Sequence, residues 1–390
     1  MILYVDNSYH KQEEYSGRGI TMGRKFNING ACNPKQHYMI DLSSRLAQIK
    51  KMIDDGSYFT ITKGRQYGKT TTLMSLCDYL KNEYEVIFLD FQDLDSTAYE
   101  NVSAFASAVA SSLLYVVDDF PAQLRSSYLS RNSRPTFQSV ILAGLYDVRN
   151  IKRKIRPDDE HKVNSPWNTR EGNEGNASLL AFDDCPRDQM ELAPFDIAAD
   201  FVVDMNFHKD EIISMLEQYE ADNSTSMNVS ELSKLIYDYT SGYPVLVSSI
   251  CKFMDERLPG TDDFPDKVSA WTTQGVEEAV KILLTEKTPL FESLLDKLNQ
   301  YPEMKDRIYT LLFQGEPIPF NIDDPVTDLL HMFCFVKNVN GQMQMANRIF
   351  EVRIYNYFLM TAEASKTEIF QIGAEEKNQK PQTDGSDYRL

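Results

Sequence analysis

The chain has 390 residues, 42% of them apolar, with 21 tyrosines, 21 phenylalanines, a net charge of −18 and an isoelectric point near 4.8. That length exceeds one ordinary core and predicts two or three domains, and the aromatic content argues against wholesale disorder. The acidic balance disfavours general attraction to phosphate backbones or anionic membranes, while leaving room for a local basic site.

Residues 1–36 are polar and punctuated and read as an N-terminal arm. Their opening, "MILYVDNSYHKQEEY", has no basic region followed by a long apolar stretch, so no signal peptide is expected. In "SSRLAQIKKMIDDG" (43–56), Leu46, Ile49 and Ile53 recur on one helical face, with Ser43 or Ser44 as cap and Gly56 as stop. "YFTIT" (58–62) is β-branched and aromatic and predicts a strand. "TTTLMSLCDYLKNEY" (70–84) predicts a helix with Leu73, Leu76, Cys77 and Leu80 inward, and "EVIFLDF" (85–91) a strand covered on both faces. This helix–strand–loop–helix–strand order follows βαβ logic and predicts a parallel sheet.

"SAFASAVASS" (103–112) reads as a helix, "LLYVVDDF" (113–120) as a strand ending in Asp118 and Asp119, and "PAQLRSSYLSRN" (121–132) as a helix. The alternative for 113–118 is continuation of the preceding helix, since periodicity does not separate short apolar runs. The run from Ala104 to Val117 is broken by serines and too short to span a bilayer. "FQSVILAG" (137–144) and "DFVVDMNF" (200–207) predict strands, with an irregular stretch between. From 209 the pattern turns helical, interrupted at Gly242-Tyr243-Pro244. It ends in two short strands joined at Asn340-Gly341, a last helix and a polar tail. Helices followed by a hairpin suggest a winged-helix unit.

Between the first strand and its helix lies the stretch that carries chemistry, Gly64-Arg65-Gln66-Tyr67-Gly68-Lys69-Thr70-Thr71. A phosphate loop of the pattern G-x-x-x-x-G-K-[ST] needs converging backbone N–H groups, a lysine for the outer phosphates and a hydroxyl for Mg²⁺ at a helix start. Gly68, Lys69 and Thr70 supply the second half, between a strand and an amphipathic helix as the motif demands. The first glycine belongs at position 63, which holds Lys63; Gly64 shifts the flexible point by one residue. The alternative is a plain strand–turn–helix with a chance G-K-T.

"YFTITKGRQYGKTTTL", preceded by "HYMIDLSSRLAQIKKMIDDG", resembles the bacterial AAA-like ATPases related to archaeal ATPases and STAND-type switches. In that group the loop often reads arginine-glutamine or arginine-arginine, one residue, then G-K-[ST], with the first glycine lost. "FQSVILAGLYDV" (137–148), "SPW" (165–167), "TSGYPVLVSSI" (240–250) and "ANRIFEVRIYNYF" (346–358) are similar to its later strand and loop, its lid and its winged helix. The resemblance spans residues 35–360 and is most specific at the loop.

It implies an ASCE-type α/β parallel sheet with helices on both faces, binding ATP and Mg²⁺, followed by a helical lid and a winged helix. The implied segments are a nucleotide-binding domain (37–208), a lid (209–288), a winged-helix-like domain (289–362) and a loose tail (363–390). Lys69 would hold the β- and γ-phosphates and Thr70 the Mg²⁺. Asp118 would add a metal contact and Asp119 polarise the attacking water. The group usually shows a longer helical stretch before the acidic strand and acids in the order D-E. Here 26 residues separate Phe91 from Asp118. Asp90 is a poor substitute, because its strand usually lies at the sheet edge in this class.

Other signals carry less. Lys63 and Arg65 are equally read as phosphate contacts or solvated cations. "KRKIRPDDEHK" (152–162) could offer an arginine to a neighbour's γ-phosphate, but reads better as a solvated surface. Its E-H-K has the wrong spacing for an acidic nuclease. Gly242-Tyr243-Pro244 is expected to stop and restart lid helices, with a place near adenine as the family alternative. The end of the chain, 331–358, carries only Lys337, Arg348 and Arg353 as cations, so a protein contact fits it better than DNA.

Cys32, Cys77, Cys185, Cys251 and Cys334 are scattered, with no C-x-x-C, and the five histidines do not cluster. Neither a disulfide scaffold nor a zinc site is indicated, and reduced thiols in the cytoplasm are expected. Three functions follow: a Mg·ATP-dependent ATPase acting as a switch on a protein partner or on itself, a nucleotide-binding or interaction protein without turnover, and, weakest on charge, a DNA-binding regulator.

Overall fold

The computed structural model describes residues 2–6, 23–89, 138–144, 199–200, 204–315 and 317–361. The chain divides into two compact units. One comprises residues 1–237, 242–279 and 332–334; the other comprises 238–241, 280–331 and 335–390.

The first unit is built on a five-stranded sheet of β1 (Ile2–Asp6), β2 (Tyr58–Thr62), β3 (Glu85–Leu89), β4 (Ser139–Gly144) and β5 (Ala199–Asp200), in the order β3-β1-β4-β2-β5. β2 pairs parallel with β4 and with β5, as a βαβ arrangement requires. The sheet is nonetheless mixed, which corrects the all-parallel expectation. β1 lies antiparallel between β3 and β4, with Ile2 opposite Leu89 and Leu142. Part of the expected loose arm is therefore an interior strand. Antiparallel pairing lets the chain start enter the sheet without the crossover that a parallel strand needs.

Two helices, α1 (Ser43–Asp54) and α2 (Lys69–Leu80), pack on this sheet. Leu46, Ile49 and Ile53 of α1 meet Leu73, Leu76 and Leu80 of α2 over Phe59, Ile61 and Ile141. The inward faces are those the 3.6-residue period marks. Neither serine caps α1: Leu42 is its N-cap, and the Asp41 carboxylate accepts the Ser43 backbone N–H at 2.9 Å. Gly56 stops the helix with φ of 68°.

Residues 23–40 also belong to the packed unit. Phe26 is 1% exposed, with its ring 4.9 Å from Tyr38, 5.4 Å from Tyr219 and 5.8 Å from Trp271. Tyr219 lies on α3 (Lys209–Asn223), which is followed by α4 (Val229–Thr240), α5 (Pro244–Glu256), the short α6 (Lys267–Ala270) and α7 (Thr273–Thr285). Gly242-Tyr243-Pro244 does break α4 from α5, with Pro244 at the first helical position. The predicted strand over 200–207 is confined, among the described residues, to β5.

The second unit contains α8 (Pro289–Gln300), α9 (Pro302–Phe313), α10 (Pro325–Met332) up to His331, the hairpin β6 (Val336–Val339) and β7 (Gln342–Met345), and a helix, α11, over 348–361. The hairpin turns at Asn340 and Gly341, with φ of 53° and 79°. Leu290, Phe291, Leu298, Met304 and Ile308 close its core with Ile349, Phe350 and Ile354. The segments 103–132 and 152–167 and the tail from 363 lie outside the described residues.

Candidate functional site

Residues 63–68 join the loop end of β2 to α2. Two of them take left-handed backbone, Gln66 with φ of 59° and Gly68 with φ of 76°. Gly64 does not, which corrects the reading that it moves the flexible point. Its side is closed by neighbours instead: a methyl group there would sit 3.1 Å from the Cys334 Sγ, 3.3 Å from the Tyr67 ring and 3.4 Å from the Tyr243 Oη. Glycine is present at 64 because the loop is packed against, and the conformational freedom is used at 66 and 68.

At Gly68 the helix begins, its carbonyl accepting from Thr72 N–H at 2.8 Å. The first-turn N–H groups of any helix lack intrahelical partners, and no acidic residue stands in this first turn to compete for an anion. Lys69 reaches back over the loop, its Nζ donating to the carbonyls of Lys63 at 2.7 Å and Gly64 at 2.6 Å. Burial lowers its pKa to about 8; the neighbouring Cys334 thiol opposes that shift and the Arg65 charge adds to it. A partly desolvated ammonium held by two carbonyls suits an incoming polyanion. Thr70 follows on the same turn. The Thr71 Oγ1 is already used, accepting the backbone N–H of Cys32 at 3.0 Å and so fastening the 23–40 segment over the helix start.

From the other side Tyr243, at the N-cap of α5, donates its hydroxyl to the Arg65 carbonyl at 2.6 Å and packs its ring 4.2 Å from that of Tyr67. Both tyrosines are buried, and burial holds both phenols well above their ordinary range. Gly242 precedes Tyr243 with φ of 74°. It has no room for a side chain, because the Phe207 carbonyl lies 2.0 Å from where a Cβ would stand. The Phe207 N–H donates to the Gly242 carbonyl at 2.7 Å, fixing this corner.

These parts enclose a cleft of about 730 Å³ including its open mouth. The β2–α2 loop and the start of α2 form one wall through Gln66, Tyr67, Gly68 and Thr71; the segment around Tyr38, Met39 and Ile40 forms another, and Pro244, Val245 and Ser248 of α5 a third. Arg45 of α1 faces the same space.

The structure thus brings together Gly64, Arg65, Gln66, Tyr67, Gly68, Lys69, Thr70 and Thr71, while Asp90, Asp118 and Asp119 lie outside the described residues. Among the described residues no group of three or more His, Cys, Asp or Glu could hold a metal ion. No described helix is long and apolar enough to cross a membrane. Sequence reasoning missed Arg45, Cys334 and the cleft walls at 38–40. Tyr243 was read as part of a helix break, with a place near adenine as the family alternative, and nothing local showed that it reaches the loop.

No family model matches the chain, and no curated protein matches it. Among solved structures, it is similar to the Walker-type ATPase PABY2304 of Pyrococcus abyssi, at 11% identity and a TM-score of 0.43, over 85% of this chain and 99% of that one.

Proposed function

We propose that this chain binds a nucleoside triphosphate, ATP with Mg²⁺, and acts as a nucleotide-driven ATPase switch in the cytoplasm. The observation that carries the reading is Lys69, half-buried in the first turn of α2 and bridging the Lys63 and Gly64 carbonyls, in a loop whose residues Gln66, Tyr67 and Gly68 wall the cleft. In this reading the N–H groups of residues 66–70 would wrap the phosphates, Lys69 would move from the carbonyls to the outer phosphates, and Thr70 would hold Mg²⁺. The metal would neutralise developing charge on those phosphates when bound. The base lies in the cleft against Met39, Ile40 and Pro244. Tyr243 and the start of α5 respond to the loop and pass its state to residues 209–288 as a lid. Asp118 and Asp119, as the family resemblance implies, would hold the metal and polarise the attacking water.

A second reading, binding without turnover, draws on the sheet. The flank of β4 away from β2 is taken by β1, and β1 runs antiparallel, so Ile2 rather than an acid stands at the loop end there. We propose the hairpin and helices of the second unit as a winged-helix-like module that contacts protein. Of the three cations between 331 and 358, Lys337 bonds Ser241, Arg353 donates to the Leu284 carbonyl, and the exposed Arg348 pairs with Glu351. A DNA surface would need a denser basic footprint than this.

The test is ATP affinity with Mg²⁺ together with phosphate release, for wild type and Lys69→Ala. Tight binding lost in the variant, with turnover in the wild type, is expected. Binding without release selects the second reading, and no binding by the wild type removes both.

A further inference from the structure

Arg45 is the one charged side chain that lines the cleft beside the phosphate loop, among the described residues. It sits in the first turn of α1, and its side chain is only 7% exposed. Its polar contacts are confined to Nη2, which lies 3.4 Å from the Asn206 carbonyl and 3.7 Å from a Glu211 carboxylate oxygen. Both are long for a guanidinium, whose charge-assisted bonds lie nearer 2.8 Å. Nε and Nη1 make no hydrogen bond among the described residues, and the side chain lines the cleft. Glu211 is also committed elsewhere, with its other oxygen accepting the His208 N–H at 2.7 Å. Burial pulls the guanidinium pKa down, and Glu211 and Asp204 pull it back, so the group stays a cation.

A buried fork with two open donor positions in an apolar cleft is incomplete. Its rigid planar geometry matches two neighbouring acceptors on one ligand, and it repels a ligand that offers a donor there. Resting on the nucleotide reading above, we propose that Arg45 determines nucleoside specificity, receiving a pair of adjacent acceptor atoms of the nucleoside while the loop holds the phosphates. Two groups carry such a pair. The 2′- and 3′-hydroxyl oxygens of ribose are one, and guanine O6 with N7 is the other, whereas the corresponding edge of adenine pairs an acceptor with a donor.

The experiment measures binding of ATP, GTP, 2′-deoxyATP and inorganic tripolyphosphate to wild type, Arg45→Lys and Arg45→Met. Tripolyphosphate binding reports on both the loop and the folded state, so a variant that fails to fold is recognised by losing it. Arg45→Lys keeps the charge without the fork. In the wild type a preference of about tenfold or more is expected. A preference for ATP over 2′-deoxyATP identifies ribose, and a preference for GTP over ATP identifies guanine. In Arg45→Lys that preference disappears while tripolyphosphate affinity is unchanged. Equal loss of all four ligands in the lysine variant, or an undiminished preference, overturns the proposal. A wild type that binds tripolyphosphate but shows no preference does so too. A wild type that binds none of the four removes the nucleotide reading, and the role of Arg45 with it.

Discussion

The hydroxyl of Tyr243 donates a 2.6 Å hydrogen bond to the backbone carbonyl of Arg65, a partner 178 residues away in the chain. The ring of the same tyrosine covers Tyr67, so the start of α5 holds the middle of the β2–α2 loop from outside. Removing only the hydroxyl, with Tyr243→Phe, keeps the packing and leaves a part-buried carbonyl unpaired. A cost of about 1 kcal/mol is expected in urea unfolding. Triphosphate affinity should fall several-fold as the loop carbonyl swings free. Unchanged affinity in a variant of reduced stability would confine Tyr243 to a packing role.

Gly64 and Cys334 form a second coupled pair. A Cβ on residue 64 would meet the Cys334 Sγ at 3.1 Å, and Cys334 itself holds left-handed backbone with φ of 62°. Gly64→Ala should destabilise by about 1–2 kcal/mol through overpacking. Cys334→Gly removes the obstructing sulfur and suits the left-handed backbone, so the double variant should recover most of that loss. Simple additivity in a double-mutant cycle by chemical denaturation would show that the two sites do not press on each other.

Lys69 gives a pH dependence with a definite sign. Its folded-state pKa is depressed to about 8 from 10.5 by burial. The buried ammonium therefore costs stability at pH values below about 8, and that cost is relieved as pH rises from there toward 10.5. A bound triphosphate raises the pKa again, so binding between these values takes up a proton. Affinity should be full below about pH 8 and decline above it. Titration calorimetry at pH 8.5 in buffers of different ionisation enthalpy should show proton uptake in the wild type and not in Lys69→Met.

The segment 23–40 is part of the folded unit. Phe26→Ala opens the space between Tyr38, Tyr219 and Trp271 and should cost about 3–5 kcal/mol. Deleting residues 1–36 removes β1 from the sheet together with Phe26 and should abolish cooperative thermal unfolding. Retention of a sharp transition in the deleted protein would return this stretch to the status of an arm.

What the sequence determined by itself is local. The inward faces of α1 and α2 follow from apolar spacing, and β2, the loop and α2 follow from a strand run, a G-K-T and a helix in succession. The break at Gly242-Tyr243-Pro244 and the turn at Asn340-Gly341 were legible because glycine, proline and asparagine restrict or release φ at single positions.

Tertiary structure decided the rest. "ILYVD" is too short to be told from an arm, and its place as an antiparallel interior strand depends on pairing Val5 with Ser139. Gly64 reads in the sequence as a displaced hinge, but it is required by Cys334, Tyr67 and Tyr243 pressing on it. Arg45 reads as one more polar residue on an amphipathic helix, and only the folding of 38–40, 207 and α5 around it makes it a buried donor facing a cleft. Each of these depends on groups distant in the chain, and hydrophobic periodicity specifies which face of an element is buried but not what it is buried against.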